Sequence, residues 1–242
     1  MKNKYLKKSS DRFLVLLVST TLLFSCSTEP DDLRAPIQDD TSIDLIVTKN
    51  NIQADNATFG EIAAISKFRP KANDIIVFSA DKGVFSNNSN TYTVNMSSND
   101  TTRAFLKYNK PDLVRVTASI FNKYSKEVFV NFTTSYPSQI LVAPDSSSLN
   151  ASFDAKTSIT SKLIRKNGNV SEGLFVTYYD SIATSNGGSI GSFHNNTYST
   201  AQGLSTVEYR LQDTSYQGFV FIKSFIDTDK GKVFGTNKVY IR

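Results

Sequence analysis

The chain of 242 residues has room for one large domain or two of about 100 residues each. Charged residues make up 20% and hydrophobic ones 39%, which supports packed cores and excludes global disorder. The formal net charge of +5 does not describe a phosphate-binding surface: Lys2, Lys4, Lys7, Lys8 and Arg12, set against Asp11, place +4 of it in the first 25 residues and leave about +1 for the rest. One cysteine, Cys26, excludes an intrachain disulfide, so any fold must rest on its own core. Phe and Tyr are plentiful, Trp is absent, and Ser, Thr, Asn and Val recur, a mixture that favours strands and turns.

Residues 1–12 are basic, and residues 13–24 (Phe-Leu-Val-Leu-Leu-Val-Ser-Thr-Thr-Leu-Leu-Phe) are almost wholly apolar. That run falls short of the roughly 20 residues of a membrane-spanning helix. A basic start, a short apolar stretch and a small residue before the break form a secretory signal. Leu23-Phe24-Ser25-Cys26 resembles the lipobox of bacterial lipoproteins, with Phe24 standing where a small residue is usual. The resemblance implies that residues 1–25 are a signal peptide and that Cys26 is the lipidated mature N-terminus. The partner of that anchor would be the outer membrane, and two or three acyl chains hold firmly where one does not.

Residues 27–40 contain two prolines and five acids and little apolar surface, the composition of an extended, solvated tether. Glu29, Asp31 and Asp32 resemble the surface-export signal of lipoproteins in Bacteroidetes-type bacteria. From residue 41 the pattern changes to short strands: Ile43–Thr48, Glu61–Phe68, Asp74–Ser79, Thr91–Asn95, Thr102–Tyr108, Asp112–Phe121 and Lys126–Thr133. Turn clusters separate them, such as Asp81-Lys82-Gly83 and Asn109-Lys110-Pro111-Asp112. Short strands at spacings of about ten residues predict a β-sandwich. Alternation predicts that Val114, Val116, Ala118 and Ile120 face the core.

After Ser135-Tyr136-Pro137-Ser138 the series starts again: Gln139–Ala143, Thr157–Arg165, Gly173–Asp180, Thr197–Ala201, Ser205–Leu211, Gly218–Ile226 and Val233–Ile241. Thr91-Tyr92-Thr93 parallels Thr197-Tyr198-Ser199, and Thr102–Leu106 parallels Val207–Leu211. Asp112–Phe121 parallels Gly218–Asp227, and Lys126–Val130 parallels Lys238–Ile241. The offset of about 105 residues is the size of a domain, not of a solenoid repeat.

The stretch Arg165-Lys166-Asn167-Gly168-Asn169-Val170-Ser171-Glu172-Gly173-Leu174-Phe175-Val176 resembles bacterial immunoglobulin-like domains of the invasin/intimin type. Their pattern is an apolar strand, a turn of the D-x-x-G-N-P-V kind, a small residue, and a second apolar strand. A G-x-(L/I/F) step follows, matched by Gly188-Ser189-Ile190 and by Gly83-Val84-Phe85, and later strands match 102–108 and 113–120. The first copy departs, with Phe68-Arg69-Pro70-Lys71-Ala72-Asn73-Asp74 in place of the Asn-Gly-Asn turn, and Lys166 stands where an acid is usual. The resemblance implies an all-β chain: two tandem immunoglobulin-like β-sandwiches, 41–134 and 135–242, behind an N-terminal signal helix and a flexible tether at 26–40. It also implies adhesion or binding at the cell surface, with the distal loops of the second sandwich as the contact. A glycan-binding accessory protein of polysaccharide uptake, and a structural spacer or envelope assembly subunit, remain open alternatives.

No catalytic, cofactor or metal residue is expected. Gly187-Gly188-Ser189-Ile190-Gly191 fits G-x-S-x-G, but the surroundings are strand and turn, and the only histidine, His194, follows too closely for a nucleophile elbow. A lone histidine builds no metal site. Asp227-Thr228-Asp229-Lys230-Gly231 opens like a calcium loop but lacks the closing glutamate, and reads better as a hairpin turn with Gly231 at positive φ. Tyr178, Tyr179, Tyr198, Tyr209 and Tyr216 are candidates for a sugar-stacking row or for cross-strand packing. Asp100-Thr101-Thr102 and Asp180-Ser181-Ile182 resemble bacterial O-glycosylation sites. No nucleic-acid motif is present, which leaves the membrane, through Cys26, and an unknown protein or glycan as partners.

Overall fold

The computed structural model describes residues 43–68, 74–96, 100–121, 124–183, 188–194 and 197–242. The signal, Cys26 and the tether therefore lie outside the described residues, as does most of the first-copy turn at 69–73. The described residues fold into strands with no helix, and none of them forms a helix long and apolar enough to cross a membrane.

Four sheets make two sandwiches. In the first, β1 (Ile43–Lys49), β3 (Gly60–Ser66), β7 (Thr101–Lys107) and β5 (Val84–Phe85) lie in that order in one sheet. The facing sheet runs β2 (Ile52–Gln53), β9 (Tyr124–Thr133), β8 (Asp112–Ile120), β4 (Ile75–Ala80), β6 (Thr91–Asn95). In the second, β10 (Gln139–Pro144), β12 (Lys156–Ile164), β15 (Leu204–Leu211) and β14 (Gly191–His194) form one sheet. The order β11 (Ser148–Leu149), β17 (Gly231–Ile241), β16 (Gly218–Thr228), β13 (Thr177–Ile182) forms the other. Pairing is antiparallel except for β2 on β9 and β11 on β17. The fold is all-β and immunoglobulin-like, as the spacing and the resemblance led one to expect.

Each strand carries its sandwich by alternation. Val114, Val116, Ala118 and Ile120 of β8 are fully buried, with Arg115 between them exposed. The first core gathers Ile62, Phe78, Phe85, Leu106 and Phe132, and the second Ile159, Val176, Tyr209, Val220, Ile222 and Ile241. Asp229-Lys230 is the turn of the β16–β17 hairpin, with Gly231 at φ 110° and Thr228 Oγ1 accepting from Lys230 N at 3.1 Å.

The hydrogen-bond register aligns the two copies residue by residue. Ala54 N donates to Thr133 O, and Ala151 N to Arg242 O, so Phe132 corresponds to Ile241. Asp112 then falls on Gly218, as the sequence parallel predicts, whereas Ile52 on Leu149 and Ile43 on Ile140 carry Ser66 onto Leu163 and Thr102–Leu106 onto Ser205–Tyr209, two residues from the expected alignment. Three further matches shift: Tyr198, bridged to Phe175, falls on Asn95, paired with Ile75, and not on Tyr92. Val130 corresponds to Val239, two residues from the expected alignment but on the same face. Phe85, paired with Leu106, corresponds to Phe193, paired with Tyr209, and not to Ile190, and Phe85 meets Phe78 as Phe193 meets Tyr178. Nor is Thr197–Ala201 a strand. The place of β6 is held among the described residues by one bridge, Phe175 to Tyr198, after which Thr200–Leu204 closes a tight turn into β15. β13 also begins at Thr177, later than Gly173.

The second sandwich buries a phenol where the first has none. Tyr209 stands at the position of Leu106 and Asp180 at that of Ala80. A Cβ on Gly191 would stand 2.4 Å from the Tyr209 ring, so glycine there makes room for the larger side chain. Its phenol cannot be buried unpaired, and it donates to Asp180 Oδ2 at 2.9 Å. The buried carboxylate is completed by Ile190 N (2.9 Å), Gly191 N (3.0 Å) and the Ser189 hydroxyl.

Two outcomes follow. Tyr209→Ala should cost about 3–5 kcal/mol in urea unfolding, and Tyr209→Leu, which puts the first sandwich's residue at this position, should cost clearly less. A Leu variant no more stable than the Ala variant would refute the correspondence. Burial, and then the Asp180 charge, hold the Tyr209 phenol well above its ordinary value, and burial likewise raises Tyr178. Phenols raised in the folded state contribute stability that is whole below the unfolded value of about 10 and is lost as pH climbs above it. Absorbance at 295 nm should show these two ionising only together with unfolding, after the surface tyrosines.

Candidate functional site

Ser189, the serine of the G-x-S-x-G match, is committed to Asp180, and its Oγ lies 3.1 Å from Gly191 O. His194 Nε2 meets Ser192 Oγ at 2.9 Å, not Ser189. The serine is thus a staple of a buried carboxylate, and the histidine is not its partner. Among the described residues no group of three His, Cys, Asp or Glu side chains is arranged to hold a metal, and Asp227 pairs with Lys232 at 3.4 Å. The tyrosines do not form one row: Tyr209 is core, Tyr178 is half-buried with its hydroxyl on Ser205 O (2.9 Å), and Tyr216 turns back to Phe219 O (2.8 Å). Tyr179 and Tyr198 are exposed. Thr101 and Ser181, the central residues of the two O-glycosylation-like triplets, are half-buried within β7 and β13.

The Arg165–Glu172 turn has a definite task. It closes the seam between the two sandwiches against 53–56 and 108–110 of the first. Gly168 takes φ 75°, and a Cβ there would lie 2.6 Å from Asp55 Oδ2, so only glycine permits the approach. Asp55 is buried and accepts from Ala57 N (2.9 Å), Thr58 N (2.7 Å) and Thr58 Oγ1 (2.9 Å), with Arg165 Nη1 at 3.6 Å. Asn169 Nδ2 donates to the Asp55 carbonyl at 3.0 Å. Arg165 also donates to Gln53 Oε1 and, at 2.6 Å, to Ser135 Oγ. Ser171 Oγ donates to Ala54 O (2.9 Å) and accepts from Ser135 N (2.8 Å), while Ser171 N donates to Ser135 O (3.0 Å). On the far side Glu172 N reaches Asn109 O (2.8 Å), and its carboxylate takes Asn109 Nδ2 (2.6 Å) and Lys110 Nζ (3.2 Å).

A second feature lies on the outer face of β13, β16 and β17, which sequence reasoning missed. Cross-strand pairs there are Phe219 with Tyr240, Phe221 with Lys238, Lys223 with Thr236, and Phe225 with Phe234, and Tyr179 lies beside Lys223. Phe219, Phe234 and Tyr240 are 45%, 56% and 42% exposed. The rings pack edgewise or tilted, Phe219 on Tyr240 at 5.1 Å and Phe225 on Phe234 at 5.7 Å. Lysines lie over them: Lys232 Nζ 3.9 Å from the centre of Phe225, Lys238 4.3 Å from Phe219, and Lys223 5.4 Å from Tyr179. At the matching positions the first sandwich has Leu113 with Asn131, Arg115 with Phe129, Thr117 with Glu127, and Ser119 with Ser125. The loop after β11 adds Phe153, 83% exposed. Its first-sandwich counterpart (54–58) meets the second sandwich at the seam, so this loop lies at the end of the second sandwich away from the seam.

No family model matches the chain, and no curated protein does. Solved structures do. Invasin, a bacterial integrin-binding protein, is 17% identical with a TM-score of 0.58, over 83% of this chain and 39% of that one. The adhesin InvE of Yersinia pseudotuberculosis is 12% identical with a TM-score of 0.53, over 84% and 61%. The fold is that of invasin-type immunoglobulin-like domains. This chain spans less than two thirds of the length of either structure, and at these identities the likeness establishes the fold alone.

Replacing Ser171 by Ala leaves the Ala54 carbonyl and the Ser135 amide buried at the seam without their shared partner, a loss of about 1–3 kcal/mol. Hydrogen exchange at the Ser135 and Glu172 amides should quicken, with amides of the β16–β17 hairpin unchanged. Unaltered exchange at the seam would mean that the hydroxyl does not hold it.

Proposed function

We propose that the chain is a membrane-anchored, non-catalytic binding module of the adhesion kind, displayed at the cell surface. In this reading 1–25 is the signal peptide, Cys26 carries the lipid, 26–40 is the tether, and 41–134 and 135–242 are the displayed sandwiches. The observation that carries it is the solvent-facing aromatic and lysine surface on the second sandwich, where the matching positions of the first sandwich hold one ring, Phe129, beside Arg115. An aromatic patch of this kind is a mark of an interaction site. The hydrogen-bonded seam supports the same reading, because it ties the bearing sandwich to its neighbour. The neighbours in fold are an integrin-binding protein and an adhesin. The displayed surface carries recognition and the anchor carries address, so no reaction is required of Ser189 or His194.

Protease treatment of intact cells tests the placement. With wild-type protein, cleavage in the tether should release a folded fragment bearing both sandwiches into the medium. The Cys26→Ala variant should incorporate no labelled fatty acid and leave no anchored protein to release. Full protection of the anchored wild type in intact cells, with digestion after lysis, would place the sandwiches inside the envelope and defeat the surface reading.

A further inference from the structure

The outer face of β13, β16 and β17 states more than that something binds. Lys232 and Lys238 are six residues apart on one strand, roughly 20 Å, and Lys223 lies across the sheet between them, opposite Thr236. Lys232 has Asp227 for company; Lys223 and Lys238 have, among the described residues, rings as their partners. The ammonium groups are thus spread along an aromatic floor with donors left for an incoming anion. We propose that this face docks an acidic protein surface, whose apolar side chains seat on the Phe219–Tyr240 and Phe225–Phe234 pairs and whose carboxylates meet Lys223, Lys238 and Lys232. The inference rests on the binding reading above and names the partner's chemistry.

Other occupants fit the same atoms less well. A second copy of this face would set lysine against lysine. A sugar chain stacks on ring faces, but ammonium groups already cover Phe219 and Phe225. A lipid surface calls for rings that protrude, whereas these pack edgewise or tilted against their neighbours, and Asp227 lies on the same face. A protein surface with an apolar centre and a carboxylate rim matches both the rings and the charges.

The full-length lipidated protein, held on beads in neutral detergent, is panned against a random dodecapeptide phage library. Sodium alginate and dihexanoyl phosphatidylglycerol are titrated in parallel as a polyanionic sugar and an anionic lipid. Recovered peptides should combine Asp or Glu with aliphatic or aromatic residues. The dissociation constant of the consensus peptide should rise about tenfold or more in Lys223→Glu/Lys238→Glu and in Phe234→Ser. Lys223→Arg/Lys238→Arg should retain binding, and Lys49→Glu/Lys162→Glu, the same charge change off this face, should leave it within about twofold. Peptides without acidic enrichment, or equal retention by the Lys→Glu variant, would overturn the inference. So would alginate or the lipid binding through Lys223 and Lys238 where peptides do not. If protease still releases the sandwiches from intact cells in that case, surface display stands and only the partner's chemistry falls.

Discussion

The hydroxyl of Ser171 is the point on which the two halves depend. It donates to Ala54 of one sandwich and accepts from Ser135 between them, and the backbone of the same residue closes a second bond to Ser135. Around it Asp55, Arg165 and Asn169 leave the polar groups of the seam paired within the protein. A buried polar network of this kind holds its geometry because each missing partner is costly. The consequence is geometric: whatever the second sandwich presents is presented at a set angle to the first, not on a free hinge.

The internal repeat works as a built-in control. Two sheets of one topology carry different residues at matched positions, so differences cannot be demands of the fold. Leu106 with Ala80 and Tyr209 with Asp180 are two solutions at one site. The second adds Asp180 to satisfy a phenol that the first does not have. The same logic applies outside the core. Ser119 with Ser125 satisfies the sheet where Phe225 with Phe234 stands in the other copy, and the aromatic rows are surplus to folding.

Much of this was legible in the chain. The period-two pattern of Val114 to Ile120, the turn clusters and the offset of the copies predict the sandwiches, because each signal is local. The seam was only half legible. Its turn stands out as Asn167-Gly168-Asn169, but Ala54 and Asp55, which it meets, lie more than a hundred residues earlier, and nothing local in Gln53-Ala54-Asp55 announces a partner. The outer face was hidden for a different reason. β8 alternates apolar with polar residues, so its buried side declares itself. In Phe219-Val220-Phe221-Ile222-Lys223-Ser224-Phe225-Ile226 both parities are apolar, and alternation cannot say which faces the core. Small shifts such as Phe85 onto Phe193 escape because the segments that connect the strands differ in length between the copies, so a short motif alone does not set the register.

The lysines on that face admit a second physical role, and the comparison between copies weighs on it. An aromatic sheet surface open to water invites another sheet, and charges placed among the rings are a usual protection. Protection alone would be served more simply by the polar residues that the first sandwich carries at several of the same sites, Thr117 with Glu127 and Ser119 with Ser125. Holding both the rings and the charges costs solubility on one side and ammonium freedom on the other. It is a sensible arrangement only if the two features are used together, by a partner that is apolar at its centre and acidic around it. The lysines then repel what is alike and meet what is opposite, and one set of side chains performs both tasks.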